Sequence, residues 1–165
     1  CAACHPSRPG PQGEPPLFTD FTYDNLGVPR NPANPYYRLD KAHNQEGELF
    51  VDRGLGGALK KRAEDGKFKV PTLRNIALTG PYMHNGYFRT LEGVVAFYNS
   101  RDSRPLCNQP LVGEDEAMQR KCWPAPEVIG NVNRDELGRL GLTRREQEDI
   151  VAFMKTLTDG YRPGQ

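Results

Sequence analysis

Aliphatic side chains are scarce in this sequence. Isoleucine occurs only three times in 165 residues, and Leu, Ile, Val and Phe together make up about 21% of the chain, close to the level typical of disordered proteins. The formal net charge is only +1, so the self-repulsion that accompanies disorder is absent. Glycine and proline are abundant, with 17 and 15 copies. We therefore expect one loop-rich domain with short helices, whose core is completed by something other than aliphatic side chains.

Other absences exclude classes of function. No apolar run approaches the length of about 18 residues that a transmembrane helix needs, so we expect no membrane span. The balanced charge argues against a nucleic-acid partner or a polybasic contact with a membrane. No charged-then-apolar leader opens the sequence, so no signal peptide is visible in it.

The first five residues form the strongest motif. Cys1-Ala2-Ala3-Cys4-His5 reads C-x-x-C-H, the attachment sequence of c-type haem. Two thiols three positions apart reach the two vinyl groups of one porphyrin, and the following histidine then lies beneath the ring. The motif predicts one covalent haem c, bound through Cys1 and Cys4, with His5 as the proximal iron ligand.

Two other uses of paired cysteines fit this sequence less well. A structural zinc ion needs four ligands, and the remaining cysteines, Cys107 and Cys122, lie fifteen positions apart with no histidine nearby. A thioredoxin-like motif needs a βαβ setting, which the Pro- and Gly-rich stretch over residues 5–16 does not provide.

Most of the chain is predicted to be loop. Prolines and glycines break regular structure over residues 6–38, 79–88 and 100–132. Between these loops we expect a short helix within 46–61, an extended stretch over 64–71 and a short helix or turn over 72–77.

Two longer helices have clear sequence signals. Thr90 is predicted to cap a helix from Leu91 to about Asn99, with an apolar face at helical spacing. That face consists of Leu91, Val94, Val95 and Tyr98.

The second of these helices follows Thr143. Together with Glu146, Thr143 forms a capping-box pattern, and Gly160 and Pro163 are predicted to end the helix. Its apolar stripe consists of Ile150, Val151, Met154 and Leu157. These patterns predict an all-α, cytochrome c-like domain built around a cofactor.

Residues 66–99 resemble the C-terminal haem domain of the bacterial dihaem cytochrome c peroxidases and the related MauG-type enzymes. The resemblance is carried by PTLRN at 71–75, PYMHNG at 81–86, the helix at 91–98, CWPAPE at 122–127 and ELG at 136–138. With the C-x-x-C-H motif and the last helix, it covers nearly the whole chain. The family's N-terminal haem domain has no counterpart in this sequence, and cytochrome c domains place a helix before C-x-x-C-H. We therefore expect that further chain precedes Cys1.

The resemblance implies a periplasmic enzyme with two c-type haems. In that family the N-terminal haem reacts with peroxide, while the C-terminal, six-coordinate haem relays electrons from a small donor protein or oxidising equivalents to a partner protein. The present chain would be the relaying half, with the second haem domain and a redox protein as partners. The alternatives are a stand-alone monohaem electron-transfer cytochrome or redox-complex subunit, and a structural C-x-x-C module without haem.

The sixth iron ligand is predicted to be Tyr98, with Met83 as the alternative. In the peroxidases the distal methionine lies seven residues after the leucine that starts the helix. Counting from Leu91 that position is Tyr98, and the MauG-type branch carries tyrosine there. A tyrosinate favours Fe(III), whereas a methionine thioether favours Fe(II).

Other candidate ligands rank lower. His84, in a glycine-containing loop, and His43, predicted to be exposed, would each give a bis-histidine haem. Met118 and Met154 are predicted to be packing residues.

Further roles follow from the resemblance. Arg74 would pair with a haem propionate, a role that Lys67 or Lys69 would fill more loosely. The carbonyls of Thr79 and Pro81 match positions that bind calcium between the two haem domains, and a turn without metal is the alternative.

The remaining cysteines are predicted to form a disulfide. Covalent haem attachment takes place outside the reducing cytoplasm, so a bond between Cys107 and Cys122 is chemically allowed, with two free thiols as the alternative. Trp123, the only tryptophan, is predicted to pack beside it rather than to relay charge.

Overall fold

The computed structural model describes residues 1–162, most of which lie in loops and turns. Over this range the helices are α1 (Gly54–Leu59), α2 (Leu91–Ser100), α3 (Glu114–Arg120) and α4 (Arg144–Thr156). The strands are β1 (Tyr23–Asp24) and β2 (Phe68–Lys69), which pair antiparallel. Single turns of 3-10 helix cover Pro35–Arg38, Gly47–Leu49, Arg62–Glu64 and Ile76–Leu78. The predicted loop-rich, helical class is confirmed, with one short strand pair added. No helix in residues 1–162 has the length and apolar character to cross a bilayer.

The caps of the two longer helices are confirmed. The Thr90 hydroxyl accepts a hydrogen bond from the Gly93 amide at the start of α2. At α4, Thr143 and Glu146 form the predicted reciprocal capping box. Helix α4 ends at Thr156, and Gly160 follows with a positive φ of 75°. Pro163 lies outside the described residues.

Three expectations for the loops need correction. Residues 100–132 are not all loop, because α3 forms there from a seven-residue segment whose three acidic residues favour a helix N-terminus. The predicted helix within 46–61 is confined to Gly54–Leu59 and the turn at Gly47–Leu49. Residues 6–38 contain β1 and the turn at Pro35–Arg38. The partner of β1 is β2, more than forty residues away, so no local pattern could have indicated this strand.

The largest cluster of buried side chains, called here the aromatic core, lies between α2 and the segment around Trp123. It consists of Val28, Tyr87, Phe88, Ala96, Phe97, Val112, Ala117 and Trp123. Phe97 meets Trp123 edge to face, with the ring centroids 5.2 Å apart. Trp123 is 1% exposed, and its indole N–H donates to the Ser100 hydroxyl at 3.1 Å. A disulfide between Cys107 and Cys122 closes the adjacent loop, as predicted.

A second, smaller cluster joins α2 to α4. It consists of Leu91, Val95, Val151 and Met154, with Ile150 partly buried against it. The predicted apolar stripes of the two helices therefore meet in part, whereas Val94 and Tyr98 of the α2 stripe pack against the aromatic core. Leu91 and Met154 also line the main cleft of the molecule, so this contact forms one of the cleft walls.

Candidate haem site

The main cleft has a volume of about 580 Å³ and opens between the N-terminal motif and α2. Pockets of about 300–1,000 Å³ with mostly apolar linings are typical of cofactor sites. The predicted site residues that line this cleft are Cys1, Cys4, His5, Arg74, Thr79, Pro81, Met83 and Tyr98. Tertiary structure therefore brings together side chains that are spread over almost a hundred positions of sequence.

A single helical turn places the C-x-x-C-H motif at one side of the cleft. The His5 amide donates to the Cys1 carbonyl at 2.9 Å, which turns both cysteines and the histidine towards the same space. Neither Cys1 nor Cys4 is in a disulfide. Burial, with the nearby carboxylates of Glu136 and Asp20, raises the pKa of the Cys4 thiol. Two free thiols beside an apolar cleft suit thioether attachment of a porphyrin.

His5 is held in a single orientation and in its neutral form. Its Nδ1 lies 2.7 Å from the carbonyl oxygen of Phe18. A carbonyl only accepts hydrogen bonds, so Nδ1 carries the proton and the lone pair is on Nε2. Burial lowers the pKa of His5, which keeps the ring neutral. Neutral imidazole with a free Nε2 is the form that binds metals.

Both predicted candidates for the sixth ligand line the same cleft. Tyr98 extends from α2, and within residues 1–162 its phenol has no hydrogen-bond partner. Burial, followed by the nearby Cys4 and Asp24, raises the pKa of the Tyr98 phenol. Met83 lies in the loop before α2 with a φ of 67° and packs against the aromatic core. The choice between them remains a prediction.

Arg74 lines the cleft, and one nitrogen of its guanidinium already donates a hydrogen bond. Its Nε donates to the Pro16 carbonyl at 2.9 Å, and the guanidinium lies 5.4 Å from the centre of the Phe18 ring. Its two terminal nitrogens have no hydrogen-bond partner within residues 1–162. Lys69 also lines the cleft, whereas Lys67 pairs with Glu64 at 2.9 Å. The terminal nitrogens of Arg74 therefore remain available for an anionic group. Lys69 donates to the Val70 carbonyl at 2.8 Å, and Lys67 is paired with Glu64.

The proposed calcium carbonyls belong to Thr79 and Pro81, which both line the cleft. Within residues 1–162, no group of three or more His, Cys, Asp or Glu side chains comes together as a metal site. Calcium at this turn therefore depends on backbone oxygens and on ligands from elsewhere, and it stays a prediction.

A buried carboxylate in the cleft wall escaped sequence reasoning. The Glu127 side chain is 4% exposed, and its Oε1 accepts a hydrogen bond from the Tyr37 hydroxyl at 3.2 Å. Its Oε2 lies 4.0 Å from His84 Nε2 and has no hydrogen-bond partner within residues 1–162. Burial, with the Glu127 charge beside it, raises the pKa of Tyr37 to about 12. Glu127 stands in the recognised CWPAPE segment, but its partners come from two distant loops.

The histidines and methionines outside the motif fall into distinct environments. His84 stacks flat on Phe68, with ring centroids 3.6 Å apart. His43 is exposed, as predicted. Met118 packs against the aromatic core, and Met154 is buried between α2 and α4, where it also reaches the cleft.

Comparison with known proteins shows which proteins this chain resembles. No family model matches the chain. The chain is 38% identical to the methylamine utilization protein MauG of Paracoccus denitrificans (strain Pd 1222), over 99% of the chain and 40% of that protein. It is 32% identical to the cytochrome-c peroxidase IdrP1 of Denitromonas iodatirespirans, over 96% of the chain and 36% of that protein.

Solved structures agree. The diheme peroxidase BthA from Burkholderia thailandensis E264 superposes with a TM-score of 0.59 at 30% identity, over 97% of this chain and 39% of that one. A MauG-like protein associated with microbial copper homeostasis gives a TM-score of 0.56 at 28% identity, over 86% of this chain and 34% of that one. The chain thus spans only a third to two fifths of these relatives. The resemblance found in the sequence is therefore confirmed: over nearly its whole length the chain is similar to MauG and to dihaem cytochrome c peroxidases, as expected for a C-terminal domain of that family.

Proposed function

We propose that this chain carries one covalent haem c and is the electron-relay half of a periplasmic dihaem peroxidase or MauG-type oxidase. The observation that carries the proposal is the cleft in which two free thiols and an oriented His5 lie beside apolar walls and the unpartnered phenol of Tyr98. Bound there, a haem iron would supply reversible one-electron oxidation and reduction.

The residues of the chain would divide the binding between them. Cys1 and Cys4 would form the two thioethers, and His5 would hold one face of the iron through Nε2. The terminal nitrogens of Arg74 would meet a propionate at the edge of the cleft. The apolar walls from α2 and α4 would exclude water from the faces of the ring.

Tyr98 is our proposed sixth ligand. Its phenol lines the cleft without a hydrogen-bond partner in the described residues, so its oxygen is open to a group bound there. With His5 and Tyr98 both holding the iron, this haem would not bind peroxide. The chain would then relay charge to or from a peroxide-reactive haem in another domain, and a phenolate would favour the oxidised state of the iron.

The ligand proposal is tested by two matched substitutions. We expect Tyr98→Phe, which removes only the hydroxyl, to change the low-spin ferric absorption and EPR spectra. We expect Met83→Leu, which removes the sulfur from the same cleft, to leave both spectra unchanged. The reverse pattern would assign the iron to Met83.

The proposed function itself is tested by the intact mass and iron content of the native polypeptide. A chain more than twice this length with two haems, which consumes hydrogen peroxide when supplied with a reduced small cytochrome or a protein substrate, is the expected result. One haem per chain without peroxide consumption would leave a monohaem electron-transfer cytochrome and refute the peroxidase proposal.

Two further parts of the proposal concern surroundings. The Cys107–Cys122 disulfide supports a periplasmic location, because disulfides persist in oxidising compartments. Thr79 and Pro81 would offer their carbonyls to calcium, together with ligands from the other haem domain. Calcium would then be bound only by the assembled protein.

A further inference from the structure

The carbonyl that orients His5 belongs to a backbone segment in an uncommon conformation. Phe18 has a φ of 53°, in the left-handed region that residues other than glycine rarely adopt. Such a residue persists when the surrounding structure over-determines its conformation. The contacts around Phe18 therefore decide where its carbonyl oxygen lies relative to His5 Nδ1.

The segment at residues 70–74 supplies these contacts. The Thr72 hydroxyl donates to the Leu17 carbonyl at 2.5 Å, and Arg74 Nε donates to the Pro16 carbonyl at 2.9 Å. On the other side of Phe18, the Thr19 hydroxyl donates to the Val70 carbonyl at 2.6 Å. Hydrogen bonds thus restrain the chain before Phe18, at residues 16 and 17, and after it, at Thr19.

The carbonyls of residues 16, 17 and 18 each have a different partner. The two preceding carbonyls are occupied by Thr72 and Arg74, and that of Phe18 receives the His5 Nδ1–H at 2.7 Å. The Arg74 guanidinium also covers the Phe18 ring, and the Phe153 ring meets it edge-on with centroids 6.0 Å apart. Both the backbone and the side chain of Phe18 are therefore restrained, by residues 70–74 and by Phe153 of α4.

We propose that Thr72 and Arg74 are positioning residues for the proximal iron ligand. By holding the carbonyls of residues 16 and 17, they keep the Phe18 carbonyl in line with His5 Nδ1. A strong acceptor at Nδ1 increases the basicity of the imidazole and its donation to iron, which stabilises Fe(III) and lowers the reduction potential. The inference rests on the proposed function, in which His5 binds the iron.

Thr72 offers the cleanest test because it is neutral and its side chain is exposed. In the full-length, haem-loaded protein, Thr72→Val removes the hydroxyl, which donates to the Leu17 carbonyl and accepts from the Arg74 amide, and it preserves the shape of the side chain. We expect the covalent haem to be retained, the midpoint potential of this haem to become more positive, and the g values of its low-spin ferric EPR signal to shift. Thr72→Ser, which restores the hydroxyl, should return both readouts to the values of the unsubstituted protein.

Two comparisons complete the test. Thr22→Val removes an exposed hydroxyl of the same loop that bonds only to Asp20, and it should leave the potential unchanged. Arg74→Gln is less clean, because loss of a positive charge near the iron would lower the potential and oppose the loss of positioning.

The possible failures are distinct. A Thr72→Val protein with its haem attached and with unchanged potential and g values would overturn the positioning role alone. An unsubstituted protein that carries no haem on Cys1 and Cys4 would overturn the proposed function and, with it, this inference.

Discussion

Two regions that meet at helix α2 complete their cores in different ways. In one, Phe97 packs with Phe88 and Trp123 in the aromatic core, where both phenylalanines are 0% exposed. In the other, Leu91 and Tyr98 line a cleft of about 580 Å³, and Tyr98 also packs against the aromatic core. The first region fills its core with its own side chains and closes it with a disulfide. The second leaves a volume for a planar cofactor.

The comparison explains the composition of the chain. Protein interiors are close-packed, and an apolar cleft without an occupant loses the contacts that stabilise its walls. The aromatic core obtains those contacts from rings and needs few aliphatic residues. The cleft region would obtain them from the porphyrin, so the scarcity of Leu, Ile and Val reflects two different substitutes for an aliphatic core.

The largest expected effect comes from removing haem attachment. In Cys1→Ala/Cys4→Ala we expect no covalent haem, and we expect amide hydrogen exchange to become fast over residues 1–22 and 66–83, because the cleft walls lose their shared partner. Exchange in the aromatic core should stay slow. Mass spectrometry of the denatured protein and exchange with mass detection measure both. Equal loss of protection in the aromatic core and in the cleft walls would show that both regions depend on the attached haem.

The next effect tests the self-filled region. Phe97→Ala should lower the free energy of unfolding by about 3–5 kcal/mol, since it leaves a cavity among packed rings. Phe153→Ala is the matched control, because that ring is 50% exposed and should cost less than half as much. Denaturant titration of the haem-loaded proteins gives both values. A similar loss of stability in Phe97→Ala and Phe153→Ala would contradict the conclusion that the aromatic core is the main hydrophobic core.

The disulfide is expected to contribute somewhat less. Cys107→Ala/Cys122→Ala opens a loop with a sequence separation of 15 residues, which corresponds to about 3 kcal/mol on the chain-entropy model. Haem content and the ferric spectrum should be unchanged, because neither cysteine lines the cleft. Loss of haem in this variant would mean that the disulfide also supports the cleft.

The smallest expected effect on stability comes from Arg101 and Asp102, which lie where the aromatic core and the cleft region meet. Arg101, buried just after α2, donates to the Leu26 carbonyl in the cleft wall and to the Asp102 carboxylate. This side-chain hydrogen bond, with the charges of Arg101 and Arg134, holds the pKa of Asp102 below its usual range. A lowered pKa in the folded state adds stability above about pH 4, and that stability is lost as the pH falls through the folded-state value.

Asp102→Asn should therefore remove on the order of 1 kcal/mol at neutral pH. It should also flatten the acid side of the stability profile. Denaturant titrations between pH 2.5 and about 7 would check this. If the stability of Asp102→Asn fell with pH as steeply as that of the unsubstituted protein, other carboxylates would be responsible for the loss of stability in acid.

Local signals were sufficient for several features. The capping residues Thr90 and Thr143 start their helices as predicted, because an N-cap acts within three residues of itself. Leu91 and Val95 of α2 pack against Val151 and Met154 of α4, and helical spacing had placed each pair on one face of its helix. The closure of the Cys107–Cys122 loop was also anticipated, since few cysteines were available to pair.

Other features have no local signal. Helix α3 is short and takes its stability from Ala117, which is buried in the aromatic core. The buried Glu127 and its neighbour His84 come from segments more than forty positions apart. Arg74 was predicted from the resemblance to hold a propionate, but its contact with the Pro16 carbonyl appeared only in the structure.

The sequence by itself predicted the chemistry of the proposed cofactor site, because C-x-x-C-H places two thiols and an imidazole within one turn of chain. It also predicted the two longer helices and the resemblance to the dihaem peroxidases and MauG. Only the tertiary structure decided which carbonyl orients His5 and which side chains hold the backbone around that carbonyl. The bonds from Thr72 and Arg74 span more than fifty residues, where folding, and not local spacing, brings the groups together.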